Sequence, residues 1–368
     1  MVEFVNPEAK YFNAFNLIDG LGPIAFKKLL AYFDSLEKAW SANLNEFVQA
    51  GLESSVIKQI KEQRPQINPD KEMEKLAKEG INLITIQDNN YPKLLKEIYT
   101  PPALLYLRGK IEPRDEFSLG IVGTRKLSAY GQQATPFIAA ELARAGLTII
   151  SGLAKGIDTL AHRAALSAGG RTIAVLGSGL NKTNIYPFSN RRLAEEISRK
   201  GAVISEFPLG TQPLAQHFPQ RNRIISGLSL GILVIEAPER SGALITAKDA
   251  LEQNRDVFAI PGPIFAQNSF GTNNLIKMGA KLVGQANDIL EELNLSLLTE
   301  PSSVDKKIIP DNQEEALILK QLSEEPIHID KIIKQTKLST AIVNSNLTLM
   351  EMKGKVRNLG GNNYVLTH

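Results

Sequence analysis

The 368-residue sequence contains no cysteine, which excludes disulfides, thiolate zinc sites and cysteine nucleophiles together and fits a reducing compartment. Histidine is scarce: His162, His217, His328 and His368 are scattered, and no pair has metal-site spacing with acidic ligands nearby. No stretch reaches the roughly 18 uncharged apolar residues that a membrane span needs, and Met1 to Tyr11 has no basic segment leading into an apolar run. A soluble, cytoplasmic protein with no membrane association is expected. There is also no G-x-x-x-x-G-K-[ST] loop and no carboxylate cluster for magnesium, so nucleotide hydrolysis is not expected.

What is present is ordinary globular material, 43% hydrophobic and 22% charged, long enough for two or three domains. The net charge of +3 hides an uneven distribution. From Phe117 to Gly227 there are 13 Lys and Arg against 5 Asp and Glu, whereas Leu228 to Asn294 holds 5 against 8. Basicity is concentrated in one half of the middle of the chain.

Residues 11 to 63 read as short helices at Tyr11 to Leu17, Ile24 to Tyr32 and Leu36 to Ser41, with helical patterning from Leu44 to Glu62. Asp19-Gly20-Leu21-Gly22-Pro23 forms a turn between two of them, as in a helix-hairpin-helix or SAM-like module. Such a turn either meets a DNA phosphate or simply joins two packed helices. From Lys71 to Lys110 a helix and the strands Asn82 to Ile86 and Ala103 to Leu107 lead in to the next domain. From Phe117 to Val283 short β-branched runs alternate with helices, which predicts a Rossmann-like, doubly wound parallel sheet with ligand loops beyond the carboxyl ends of its strands. Residues 296 to 312 read as a linker, and residues 313 to 368 as three helices and a hairpin, a winged helix. The expected domains are therefore 1 to 65, 66 to 295 and 313 to 368.

The loops carry the candidate chemistry. Gly123-Thr124-Arg125 ends the first parallel strand, with Ser128 beyond it; an arginine replaces the second glycine of a dinucleotide fingerprint, which disfavours NAD and suits a phosphate grip. Gly152, Lys155 and Gly156 follow the second strand, where glycines would let a DNA backbone approach closely. Asp158 and His162 share a helix face there, either as an acid-base pair or as structural hydrogen-bonding groups. Gly177-Ser178-Gly179 with Glu206 is half a nucleotide motif and weak evidence for a cofactor; none is expected. Phe218, Arg221, Asn222 and Arg223 open a helix at Ile224, and two arginines in a first helical turn conflict with the helix dipole unless an anion is present. Phe218 either stacks on a base or staples the helix. Ser241, Gly242 and Thr246 open a later helix that either presents donors to an anion or is merely capped by Ser241.

These motifs, in this order, resemble the DNA-processing protein A (DprA/Smf) family almost continuously from Phe117 to Val283, including Glu236-Ala237, Pro261-Gly262 and Gly271-Thr272-Asn273. The resemblance implies a non-catalytic homodimer that binds single-stranded DNA in a basic pocket and loads the recombinase RecA in natural transformation and DNA recombination. It places Arg125 and the segment from Phe218 to Arg223 in that pocket. The winged helix is an accessory of some members, and its third helix, Ser339 to Met352, carries no Lys or Arg, which favours protein contact over the DNA major groove. The rival enzyme is a nucleoside-5′-monophosphate phosphoribohydrolase of the lysine-decarboxylase-like family. Its P-G-G-x-G-T-x-x-E motif would fall at Pro238 to Thr246, where the double glycine and catalytic glutamate are missing.

Overall fold

The computed structural model describes residues 6–295, 310–322, 327–353, 355–358 and 362–366. Contacts divide the chain into two units, Met1–Leu298 and Thr299–His368. The first opens with six helices: α1 (Ala9–Asn16), α2 (Pro23–Tyr32), α3 (Leu36–Ser41), α4 (Leu44–Gln49), α5 (Ser54–Gln63) and α6 (Pro69–Lys78). Local chemistry sets their ends. Pro23 starts α2 at a position whose missing N–H is no loss, and Asn43 with Glu46 forms a capping box on α4.

Next come β1 (Asn82–Thr85), the single turn α7 (Lys93–Lys96) and β2 (Leu104–Gly109). The alternating part is β3 (Ser118–Val122), α8 (Ala129–Arg144), β4 (Thr148–Ser151), α9 (Ile157–Ser167), β5 (Thr172–Val175), α10 (Arg191–Lys200), β6 (Ala202–Ser205), α11 (His217–Leu228), β7 (Gly231–Val234), α12 (Gly242–Glu252), β8 (Asp256–Ala259), α13 (Phe270–Lys277), β9 (Lys281–Leu282) and α14 (Ala286–Glu292). All nine strands form one sheet in the order β1-β2-β6-β5-β4-β3-β7-β8-β9. From β6 to β9 every pairing is parallel.

The expected lead-in is instead part of this sheet: β1 and β2 pair antiparallel with each other, and β2 runs antiparallel to β6. The sheet is thus mixed at one end. Apolar alternation marks a segment as a strand but does not name its partner.

Both faces are covered. Ile150, Ile232 and Val234 pack with Ile224 and Ile225 of α11 on one side, while Ile149, Leu233 and Ile235 pack with α8 and α9 on the other. Burial on both faces is why the parallel strands read as continuous apolar runs. The helical N-terminal region shares its core with the sheet: Phe12, Phe15 and Leu76 belong to one buried cluster with Tyr106, Leu176 and Val203. Tyr106 donates to Asn13 at 2.7 Å within it. Strand order turns outward in both directions from β3 and β7, so the switch-point crevice lies where Val122 and Val234 end.

The second unit contains α15 (Gln313–Leu319), β10 (Ile327–His328), α16 (Ile329–Thr336), α17 (Thr340–Met352), β11 (Val356–Asn358) and β12 (Asn363–Leu366). Its sheet has the order β10-β12-β11, a winged-helix arrangement around Ile318, Ile332, Val343 and Leu347. The expected linker and most of the Gly360-Gly361-Asn362 turn lie outside the described residues. Among the described residues, no helix is long and apolar enough to cross a membrane, and no group of three or more His, Asp or Glu is placed to hold a metal ion.

Candidate nucleic-acid interface

At the carboxyl edge of the sheet lies an open cavity lined by Arg125, Gly152, Ala154, Lys155, Tyr186 and Phe218. Its first wall is the loop after β3. This loop is pinned at both ends: Thr124 N–H donates to the Glu236 carbonyl at 2.8 Å, and Ile157 N–H donates to the Thr124 carbonyl at 3.2 Å. Ser128 caps α8 by accepting from Gly131 N–H at 3.2 Å and itself donates to the Glu236 carboxylate. Between these fixed points Arg125 and Lys126 remain exposed. The Arg125 guanidinium stands 5.2 Å from the centre of the Phe218 ring, and the Tyr186 ring is 6.1 Å from Phe218. Lys155, also in the lining, is exposed. Arg125, Lys126 and Lys155 form no ion pair among the described residues.

The glycines are required by the packing of the protein itself. A Cβ at Gly152 would collide with the Arg221 guanidinium, and one at Gly156 would collide with the Thr124 carbonyl and the Arg125 backbone. Gly156 also has φ +86, which favours glycine. Gly123 is enclosed by Ile157 and the Glu236 carbonyl. At all three the space a Cβ would take is filled by other segments of the protein.

Helix α11 brings the larger correction. It begins at His217, with Pro219 in its first turn, so Arg221 and Arg223 lie in the second turn and the dipole conflict disappears. Arg221 is buried beneath the cavity. Its guanidinium donates to the carbonyls of Gly152 at 2.7 Å and of Val175, and its Nε donates to Asn222 Oδ1 at 3.2 Å. It thereby ties together the ends of β4 and β5. Burial pulls its pKa down to about 10, opposed by Asp158, so it stays charged at neutral pH. Arg223 is ion-paired with the largely buried Glu206, whose pKa burial pushes up against the pull of that arginine. Arg221 is thus turned inward onto the protein, and Arg223 is held by Glu206, although its buried Nη1 has no hydrogen-bond partner among the described residues. Glu206, in turn, is occupied and not poised for a ribose.

Asp158 and His162 are also spent on structure. Asp158 accepts from Gly152 N–H at 3.1 Å and Ala154 N–H at 3.2 Å, and it is buried; burial raises its pKa, while Arg221 opposes the shift. His162, fully buried, shares a 2.6 Å hydrogen bond with Thr172, and burial lowers its pKa to about 3. It is neutral at physiological pH. An acid-base pair facing the cavity is not formed.

Ser241 caps α12 by accepting from Ala243 N–H at 3.3 Å, and Gly242 faces open space. Asn222 and the buried Thr246 both donate to the Gly242 carbonyl, at 3.4 and 3.5 Å, which ties this turn to α11. Of the expected residues, the fold thus brings Arg125, Gly152, Lys155 and Phe218 to one cavity, with Asn222, Arg221 and Gly156 behind it. Tyr186 and Ala154 complete the lining and were not anticipated. Tyr186 lies eleven residues beyond β5, and only its return to the sheet edge places it beside Phe218.

Comparison with known proteins gives the family. Residues 82–294, more than half of the chain, match the DNA recombination-mediator protein A profile, and residues 304–362 match the DprA winged helix domain. Protein Smf of Synechocystis is 37% identical over 98% of this chain and 99% of its own length. DNA processing protein DprA of Bacillus subtilis is 47% identical over 58% of this chain and 72% of its own. Among solved structures, DNA processing protein A of Streptococcus pneumoniae superposes with a TM-score of 0.67 at 38% identity, over 79% of this chain and 99% of that one. The protein of the same name from Helicobacter pylori, whose structure concerns its single-stranded DNA binding mode, gives 0.52 at 30% identity, over 58% and 96%. The chain belongs to the DNA processing protein A (DprA/Smf) family.

Proposed function

We propose that this protein binds single-stranded DNA in the cavity at the carboxyl edge of its sheet and delivers it to the recombinase RecA in natural transformation and DNA recombination, without catalysis of its own. The observation that carries the first part is Arg125: an exposed guanidinium with no carboxylate partner among the described residues, held beside the ring of Phe218. That pairing offers a charge to a phosphate and a flat face to a base. Lys155, Tyr186, Ser241 and Gly242 extend the contact surface, while Gly123, Ser128, Gly152, Gly156, Arg221, Asn222, Arg223 and Thr246 hold it in shape. A cavity made of loops accepts a splayed strand better than a rigid duplex. Competition of the two DNA forms in a gel-shift assay tests this; equal or tighter duplex binding would contradict it.

The engagement of Asp158 and His162 in structural hydrogen bonds supports a mediator over the phosphoribohydrolase alternative. Release of ribose 5-phosphate from AMP would refute the non-catalytic assignment. For the homodimer, support comes from the open edge of the sheet, where Leu282 of β9 is exposed together with Phe270 of α13 and Met278 just after it. Delivery to RecA rests on family membership, and the cytoplasm is the compartment this role requires.

A further inference from the structure

A second cavity lies across the Tyr186 loop from the first, lined among others by Arg108, Lys182, Ile185, Arg191, Glu195 and Val203. Ile185 and Tyr186 are adjacent in the chain but line different cavities, so this loop is the wall between the two. Its crest is Phe188, 72% exposed, with the Arg191 guanidinium 4.0 Å from the ring centre. The crest is braced. Asn190 donates to the Leu153 carbonyl at 2.9 Å and to Thr159 Oγ1 at 2.7 Å, and Arg191 Nη2 donates to the Thr183 carbonyl at 2.6 Å. A phenylalanine held out in water on a rigid turn, with a cation on the ring, offers its remaining surface to a flat partner.

The charge beside it is positive. Arg108 is paired with Glu79 at 2.8 Å and Lys182 with Glu195 at 3.1 Å, whereas Arg191 has no ion-pair partner among the described residues. The Glu195 carboxyl is held below its ordinary range by its hydrogen bond to Lys182, with Arg199 and Arg108 adding to the effect, which marks the local field as cationic. The cavity floor, Ile185, Ala194 and Val203, is apolar. An anion flanked by a flat apolar group matches both features, and a nucleotide unit of a DNA strand supplies both.

We propose that this second cavity takes a phosphate of the same single strand, with the intervening base stacked on Phe188, so that the bound strand runs across the Tyr186 loop from Arg125 to Lys182. The proposal rests on the first cavity being the single-strand site. The test is fluorescence anisotropy with labelled oligothymidylates of about 4 and about 16 nucleotides, on the full-length protein carrying Lys182→Ala, Phe188→Ala or Arg125→Ala. Phe188→Ala should weaken the longer strand about tenfold with an unchanged salt dependence. Lys182→Ala should weaken it several-fold and shrink the slope of log affinity against log salt by about 0.7. The double variant Lys182→Ala, Glu195→Gln should keep that smaller slope, which separates lost attraction from an exposed carboxylate. Both side chains are exposed, so melting temperatures should not change, and the short strand should bind as to the wild type. Full long-strand affinity and slope in Lys182→Ala and Phe188→Ala, alongside a loss at both lengths in Arg125→Ala, overturns this proposal alone, whether or not inorganic phosphate enters the second cavity. Arg125→Ala binding both lengths normally overturns the first-cavity reading instead.

Discussion

Arg125 and Arg221 stand on two sides of one cavity wall and do opposite things. Arg125 projects from a loop that hydrogen bonds fix at both ends, and it is exposed without a carboxylate partner among the described residues. Arg221 leaves a regular helix, is 3% exposed, and turns its Nη1 donors onto carbonyls at the ends of two strands. Under the proposed function the same side chain is a ligand group in one place and a girder in the other. Burial and internal acceptors decide which, because a guanidinium turned inward onto carbonyls has fewer donors to offer a phosphate.

The largest effect that separates the two is on stability. Arg221→Met removes a buried cation and leaves Asp158 without its opposing charge, which should cost about 3 to 5 kcal/mol in urea unfolding. A variant as stable as the wild type would mean that Arg221 is not structural. Phe218 sits on the ligand side of the comparison: Phe218→Ala should lose about 1 to 3 kcal/mol of single-strand affinity at an unchanged salt slope. Loss of melting temperature with intact affinity would move it to the structural side.

A further effect, gradual rather than stepwise, concerns pH. His162 has its folded pKa lowered to about 3 from 6.5, so below pH 6.5 the unfolded chain takes a proton that the fold refuses, and stability falls with pH down to about 3. Relative to His162→Gln, the wild type should lose stability on acidification, by at most about 1.4 kcal/mol for each pH unit in that window. Parallel stability curves for the two proteins would show that His162 is protonated in the fold.

The parallel core was legible because strands buried on both faces must be apolar throughout, as Leu119 to Val122 and Gly231 to Val234 are. Arg125 was legible because a cation at the first strand's carboxyl end breaks a glycine pattern at a known ligand position. The start of α11 was not. Phe218, Pro219 and Gln220 read as an approach to a helix, yet proline fits a first turn, and the shift of seven residues from Ile224 to His217 moved both arginines from the dipole's end into the body of the helix. The backbone partners of Arg221 were equally hidden, since the Val175 carbonyl reaches it only through the sheet order. Tyr186 and Phe188 carry no local pattern at all; a loop residue declares itself only once the chain has folded back.

The most direct test of the account is the affinity for single-stranded DNA as a function of salt, measured for the wild type and Arg125→Ala. The account predicts binding weakened about tenfold, a slope smaller by about 0.7, and an unchanged melting temperature. The same affinity and slope in both proteins would contradict it.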